Sequence, residues 1–375
     1  MDFDLTEDQQ AIADLAARIL DERLPPEELR RREAAGEWFA ADVWEELARA
    51  GLLALALPEA HGGAGLGLVE ACLVAEAMGR AAAPLPYVPV LAAALALARF
   101  GRADQQARLL PPLASGGPPP VAALHEPVEV AVPLIPSTVA TADGDGWALH
   151  GEKVAVSLGP EAAALVVPAR TGEAATAVFV VAPDAPGLAL EPQRAMTGEP
   201  QWTVRFDGTP VGPADVLGDV HRGEAVVAHL EAWAIAVGCA FQTGVCEGAL
   251  ALTARYVSER EQFGVRLGTF QAVAHRVADA YVDTEGVRLT GRQAAWRLDA
   301  GLDATTELMT AAFWAAEGAQ RVVHAAQHLH GGIGMDLDYP VHRYFRWAKV
   351  LELQLGGATP SLRRLGAALV GAGRR

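Results

Sequence analysis

Side chains that together suit a dinucleotide follow one another between residues 256 and 279. They are an arginine, two glutamines and a phenylalanine: Arg260, Gln262, Gln271 and Phe263. Gly264 permits a turn there, so this segment joins the end of one helix to the start of another. A guanidinium can bind pyrophosphate, an amide can bind polar edges and a ring can stack. A plainer interpretation is a helical hairpin with Phe263 and Phe270 in the core and Arg260 in a surface ion pair.

A second segment combines histidines with closely spaced glycines, at Gln327, His328, His330, Gly331, Gly332 and Gly334. It follows a helical pattern and lacks the G-x-G-x-x-G spacing, which argues against a Rossmann fingerprint. The glycines alone would also suit a tight turn between two helices. His324 and His328 have the i,i+4 spacing of metal ligands, but no cysteine lies near them. We therefore expect no metal site, and we expect His328 to line a dinucleotide pocket.

Composition indicates an acidic globular protein. The chain has 375 residues, 51% of them hydrophobic, a formal charge of −16 and an estimated pI of 5.1. Such a charge disfavours binding to nucleic acid or anionic lipid. The odd number of cysteines, all in apolar helix-like segments, suits buried thiols in a reducing compartment. We expect a cytoplasmic protein without a signal peptide or membrane insertion.

Helical periodicity at both ends flanks a β-prone middle. Thr6 is a predicted N-cap, and helical patterns continue to the proline-rich segment 111–120, which cannot continue a helix. Short β-prone runs follow, and helical periodicity returns from Gly223. The order predicts an α+β fold with an N-terminal helical domain at 1–118, a middle β domain at 119–220 and a C-terminal helical bundle at 221–375.

Several motifs resemble those of the acyl-CoA dehydrogenase family. Residues 256–279 resemble its R-x-x-F-G-x-x-x-x-x-F-Q-x-x-x-H signature, and residues 327–334 resemble its Q-x-x-G-G-x-G turn, with His328 in place of the glutamine. Residues 57–65 and 204–218 match two further family segments. In that family the glycine turn lies against the flavin dinucleotide of an adjacent subunit. The resemblance implies FAD contacts at Arg260, Gln262, Phe263, Gln271, His328, Gly331 and Gly332.

The segments that hold the flavin ring in the family are altered in this sequence. The family pattern T-E-P-x-A-G-S-D corresponds to the segment that begins at His125, and Glu126-Pro127 is retained. The aromatic residue of the W-I-T/S strand is replaced by Ala155, whereas Ser157 keeps the hydroxyl. A ring placed against Ala155 would lose stacking area. By resemblance, Ser157 is the remaining candidate contact of the ring.

The catalytic carboxylate of the family has no counterpart at its usual position. A Tyr-Glu-Gly triplet normally carries this base, and Leu355 stands at the glutamate position. An alternative family position on the first long C-terminal helix corresponds to Ala234. Glu231 and Glu352 each precede one of these positions by about one turn, so both are weak candidates for a base. The plainer interpretation of each is an exposed carboxylate on a helix.

Taken with the resemblance, these losses predict one half of a shared active site. We expect an FAD-dependent acyl-CoA dehydrogenase subunit that takes part in α,β-desaturation of an acyl-CoA thioester, with the base on a partner chain. The family implies a tetramer of related subunits and an electron-transfer flavoprotein as oxidant. One alternative is a homo-oligomeric dehydrogenase that uses Glu231 or Glu352. Another is a structural or ligand-binding paralogue without catalysis.

Overall fold

The computed structural model describes residues 3–128, 131–173 and 175–372. The described chain forms two compact units. The first contains the residues up to Glu37, Leu68–Pro84 and the residues from Ile235 onward, and the second contains Trp38–Gly67 and Leu85–Ala234. The predicted domain bounds at 118 and 220 stay a prediction.

Helices form the N-terminal part, as the periodicity predicts. They are α1 (Glu7–Arg23), α2 (Pro26–Ala35), α3 (Ala41–Arg49), α4 (Leu68–Arg80), α5 (Tyr87–Phe100), α6 (Ala103–Leu109) and α7 (Pro111–Ser115). The predicted cap is confirmed, because Thr6 Oγ1 accepts a hydrogen bond from Gln9 N and Gln9 Oε1 accepts one from Thr6 N. The helix Pro111–Ser115 corrects the prediction of a non-helical segment. Its prolines lie in the first turn, where a missing N–H costs no hydrogen bond.

A seven-stranded sheet forms the middle of the chain, in the order β1-β4-β2-β3-β7-β6 with β5 paired to β4. The strands are β1 (Pro120–Ala122), β2 (Val139–Asp143), β3 (Gly146–Ser157), β4 (Ala164–Arg170), β5 (Thr176–Val181), β6 (Leu188–Arg194) and β7 (Pro200–Val211). β1 and β2 pair with β4 in parallel, and the other neighbours are antiparallel. A bulge interrupts the β3–β7 register between Lys153 and Val156.

A buried ion pair ties the start of this sheet together. Lys153 Nζ lies 2.7 Å from Glu126 Oε1, and both side chains are inaccessible to solvent. Glu126 also accepts hydrogen bonds from the backbone N–H and the hydroxyl of both Ser137 and Thr138. Burial alone would raise the pKa of Glu126, but Lys153 and these donors lower it to about 2. The carboxylate is therefore charged and fully bonded inside the sheet.

The C-terminal part is a helical bundle, as predicted. Its elements are α8 (Gly223–Glu259), a short hairpin of β8 (Glu261–Gln262) and β9 (Val265–Arg266), α9 (Gln271–Asp299), α10 (Thr305–His330), α11 (Val341–Gln354) and α12 (Ala358–Ala372). Glycines let α4 and α8 approach closely, since a Cβ on Gly79 would lie 1.9 Å from Phe241 O and one on Gly244 would lie 1.8 Å from Glu76 O. The architecture is the predicted α+β fold.

One helix among the described residues is long and apolar enough to cross a membrane. This helix is α8, and 83% of its apolar window is buried inside the protein. Burial of this kind is expected of the central helix of a bundle, since such a helix is apolar on every side. The apolar character of α8 is thus explained by packing.

Candidate functional site

The predicted arginine, glutamines and phenylalanine lie together around one hairpin of the first unit. The Arg260 backbone closes the hairpin, because its N–H donates to Tyr256 O at 2.8 Å and its carbonyl accepts from Leu267 N at 2.9 Å. Gln271 is the first residue of α9. The side chains of Arg260, Gln262, Phe263 and Gln271 are all exposed. Within the described chain, no carboxylate pairs with the Arg260 guanidinium, which leaves its donors available to an external anion.

Phe263 lies at the tip of this hairpin in an unusual conformation. Its φ is 56° and that of Gly264 is 78°, so both residues of the turn are left-handed. Phe263 is 92% exposed, and its ring meets that of Phe270 edge-on, with ring centroids 6.3 Å apart. The interpretation of Phe263 and Phe270 as core residues is therefore wrong. A protruding aromatic ring on a strained turn is typical of a contact with another molecule.

The glycine turn contains one glycine that packing within the chain does not require. Gly331 has a positive φ of 60°. Gly332 has an ordinary φ, and a Cβ there would meet no atom within 4 Å. Gly334 differs, because its Cβ would lie 2.9 Å from Gln327 Nε2, which donates to the Gly334 carbonyl at 2.6 Å. A tight turn thus explains Gly334. At Gly332, by contrast, the space beside the protein backbone is open, and a ligand such as a phosphate group could approach it.

His328 is exposed beside this turn, while His330 is buried. The ring of His330 stacks on Tyr256, with centroids 4.6 Å apart. Since Tyr256 lies one helical turn before Arg260, this stack brings the hairpin and the glycine turn into one region of the first unit. The Arg260 end of the hairpin and the Gly331 end of the turn are therefore linked through the Tyr256–His330 stack. The sequence did not single out Tyr256, although its i−4 spacing from Arg260 was a usable signal.

The ring segments lie in the second unit and have a different character. Ser157 Oγ donates a hydrogen bond to Glu199 Oε1 at 2.9 Å. Burial raises the pKa of Glu199 to about 7, against the opposing effect of hydrogen bonds from Ser157 and Gln201. Ala155 has a φ of 55° and lies in the β3 bulge. The one retained hydroxyl of the ring segments is thus already bonded within the chain. Glu199 is distant in sequence, and no sequence signal indicated it.

His125, at the position of the family's threonine, also fails to provide a hydroxyl. Burial, together with the nearby charge of Lys153, lowers the pKa of its imidazole to about 4. The ring is therefore neutral at physiological pH. Its neighbour Glu126 is engaged in the buried ion pair and offers no free oxygen for a ligand. Glu126 thus stabilises the sheet, and both of its carboxylate oxygens are already bonded within the chain.

Leu355 is the C-cap residue of α11 and is buried within the first unit, with 7% of its surface exposed. A Cβ on Gly238 of α8 would lie 2.8 Å from Leu355 Cδ2, so the leucine packs directly on this glycine. The two candidate bases, Glu231 and Glu352, are not the exposed carboxylates of the plainer interpretation. Glu231 is buried, with 7% exposed, and Glu352 Oε2 is paired with Lys349 Nζ at 2.6 Å. An ion-paired Glu352 is poorly prepared to remove a proton.

Two family descriptions match this chain. Residues 6–117 match "Acyl-CoA dehydrogenase, N-terminal domain", and residues 226–369 match "Acyl-CoA dehydrogenase, C-terminal domain". Among individual proteins, the chain is 39% identical to the acyl-CoA dehydrogenase FadE27 of Mycobacterium tuberculosis, with 98% of each chain covered.

Two solved structures are similarly close. A variant of the Tcur3481–Tcur3483 steroid ACAD shares 41% identity with a TM-score of 0.91, over 98% of this chain and 99% of the other. The ChsE4–ChsE5 complex of Mycobacterium tuberculosis shares 39% identity with a TM-score of 0.91, over 99% of both chains.

Proposed function

Because this chain belongs to the acyl-CoA dehydrogenase family, we propose that it is one subunit of a heteromeric, FAD-dependent acyl-CoA dehydrogenase whose base-bearing active site is completed by a related chain. The reaction is α,β-desaturation of an acyl-CoA. The observation that carries the proposal is Leu355, a buried aliphatic side chain where the family usually has its base. A leucine side chain has no ionisable group and cannot accept the α-proton of the substrate.

The chain's residues fit one part of FAD and not the other. The Arg260 guanidinium, which pairs with no carboxylate among the described residues, suits the pyrophosphate. Exposed Phe263 offers a stacking face, and the open space at Gly332 admits a close approach. The ring segments fit poorly, because Ser157 is bonded to Glu199 and Ala155 offers no aromatic wall. When bound, FAD supplies the acceptor for the hydride of the substrate. The role of this chain is to hold the dinucleotide of a flavin whose ring lies on the partner.

Two of the similar structures support a heteromeric assembly, since one is the complex of ChsE4 with ChsE5 and the other is the Tcur3481–Tcur3483 steroid ACAD. A tetramer of two related chains with fewer flavins than subunits follows from the division of roles. An electron-transfer flavoprotein would reoxidise the flavin, and the cytoplasm is the expected compartment. Selectivity for the acyl group of the substrate depends on a pocket to which the partner chain contributes.

A second enzyme function is favoured by one observation. Glu231 is buried, as a carboxylate with catalytic basicity would be. In that case the chain would be a homo-oligomeric dehydrogenase with a relocated base. This alternative differs from the heteromeric proposal in that the chain would bind its flavin without a partner chain.

Expression of the chain alone and together with a related chain encoded beside it tests the proposal. We expect little flavin absorbance from the chain alone, and a yellow complex with half as many flavins as chains that oxidises an acyl-CoA. A chain that is yellow alone, forms a homo-oligomer and reduces an electron acceptor with acyl-CoA would overturn it in favour of the Glu231 enzyme. A colourless, inactive complex would indicate a non-catalytic paralogue.

A further inference from the structure

Three aromatic residues of the first unit lie where the Arg260 hairpin meets the glycine turn. They are Tyr256 on α8, His330 at the end of α10 and Tyr339 just before α11. We propose that these residues, here called the aromatic clamp, are positioning residues that hold Arg260 and the Gly331–Gly332 turn at the separation one dinucleotide requires. The proposal rests on the proposed function and extends it to side chains that need not touch the cofactor.

The rings of the clamp are in mutual contact. His330 lies nearly parallel to Tyr256, with an interplanar angle of 25° and a centroid distance of 4.6 Å. Tyr339 is 5.0 Å from His330 and 6.1 Å from Tyr256, in tilted and edge-on arrangements. His330 is 2% exposed. Aromatic pairs in such arrangements are stabilising beyond the area that they bury.

Hydrogen bonds give His330 a single orientation. Its Nδ1 lies 2.8 Å from the carbonyl of Ala326, which can only accept, so Nδ1 carries the proton. In the neutral ring Nε2 is then an acceptor, and the Tyr339 hydroxyl donates to it at 3.2 Å. Burial lowers the pKa of His330 and so favours this neutral form. The tautomer, the ring plane and the Tyr339 hydroxyl are therefore fixed together.

Each member of the clamp is tied to a segment of the candidate site. Tyr256 O accepts the hydrogen bond of Arg260 N at 2.8 Å, and His330 directly precedes Gly331. Tyr339 anchors the chain after the turn, because its carbonyl accepts from His342 Nδ1 at 2.8 Å. The Arg260 hairpin itself is exposed, so its position depends on the clamp residues that pack where the hairpin leaves α8. Pre-positioned groups bind more tightly because less conformational freedom is lost on binding.

Ordinary core packing is the competing explanation, and Tyr339→Phe separates the two. The variant keeps the ring and its buried area but removes the hydroxyl that orients His330. Packing alone predicts an unchanged affinity for FAD, whereas the clamp predicts a weaker one. Tyr344→Phe is a matched control, because the Tyr344 hydroxyl also donates a hydrogen bond, to Arg80 O at 3.0 Å, in the same unit but outside the clamp.

The measurement is the dissociation constant of FAD, by flavin fluorescence, for the full chain in complex with the partner chain of the proposed function. Thermal unfolding is recorded for every variant. We expect Tyr339→Phe to weaken FAD binding about fivefold and Tyr256→Leu about tenfold. Tyr256→Phe should recover most of the loss, because the ring is retained. Tyr344→Phe should lower the unfolding temperature about as much as Tyr339→Phe without a change in affinity.

Arg260→Met distinguishes failure of this inference from failure of the proposed function. If Arg260→Met weakens FAD binding while Tyr339→Phe and Tyr256→Leu leave it unchanged, the clamp is overturned and the dinucleotide site stands. If Arg260→Met has no effect, or the wild-type complex binds no FAD, the proposed function itself fails. Should Tyr256→Leu not fold, the comparison of Tyr339→Phe with Tyr344→Phe decides the outcome.

Discussion

Ser157 Oγ donates a 2.9 Å hydrogen bond to Oε1 of Glu199, and this bond joins the end of β3 to the turn before β7. The hydroxyl that could contact a flavin ring is thereby held by the chain's own carboxyl group. Since burial raises the pKa of Glu199 to about 7, the group is largely protonated in mildly acidic solution. The pair therefore makes stability sensitive to pH.

Glu199→Gln should remove a pH dependence of stability. Between the ordinary carboxyl pKa and about 7, the folded chain binds more protons at Glu199 than the unfolded chain, so the wild type loses stability as pH rises through this window. We expect the free energy of unfolding of the variant, relative to the wild type, to increase by about 1 to 2 kcal/mol between about pH 5 and about pH 8. Denaturant unfolding at both pH values measures this difference. Exposed Glu161→Gln is the control, and an equal response of both variants would contradict the assignment.

Breaking the buried pair of Glu126 and Lys153 should be costly. Lys153→Met leaves the Glu126 carboxylate buried without its cation, and we expect a loss of about 3 to 5 kcal/mol in the free energy of unfolding. Arg205→Met breaks the exposed Arg205–Glu152 pair of the same sheet and should cost no more than about 1 kcal/mol. Chemical denaturation compares the two. Similar losses would mean that burial of the Glu126–Lys153 pair has no special consequence.

Gly332→Ala and Gly334→Ala should affect different properties, FAD binding in the first case and stability in the second. The Gly332 position has room for a methyl group, so the substitution should leave thermal stability unchanged but weaken FAD binding by about tenfold, because the methyl lies on the approach to the backbone. Gly334→Ala should lower stability by about 1 to 3 kcal/mol through its clash with Gln327. Calorimetry and flavin fluorescence separate these responses. Unaltered FAD binding by Gly332→Ala would show that the open space is not a ligand site.

Neither candidate glutamate should be essential in the complex. If the base lies on the partner, Glu231→Gln and Glu352→Gln should each keep kcat within about threefold, since removal of a true general base costs about 100-fold or more. Stopped-flow reduction of the flavin by acyl-CoA isolates the proton- and hydride-transfer step. A loss of about 100-fold for Glu231→Gln alone would transfer the base to this chain.

Local sequence was sufficient for the features that depend on near neighbours. The Thr6 cap forms within one turn of helix, and the hairpin that carries Arg260 forms between adjacent helices. The family motifs are likewise contiguous, so the fold could be predicted from them, while the assignment of a dinucleotide to these segments stays a prediction. The start of a helix at Pro111 was missed because proline reads as a helix breaker, although it is favourable in a first turn.

Contacts between distant residues were decided only by the tertiary structure. Ser157 meets Glu199, Glu126 meets Lys153, and Tyr256 meets His330 across long stretches of chain. The resemblance to the family motifs predicted that Ser157 keeps a hydroxyl and that Leu355 stands at the usual position of the carboxylate. It could not show that the serine is bonded internally or that the leucine packs on Gly238. Residue type fixes which bonds a side chain can form, but packing decides which partners reach it and which groups lose their water.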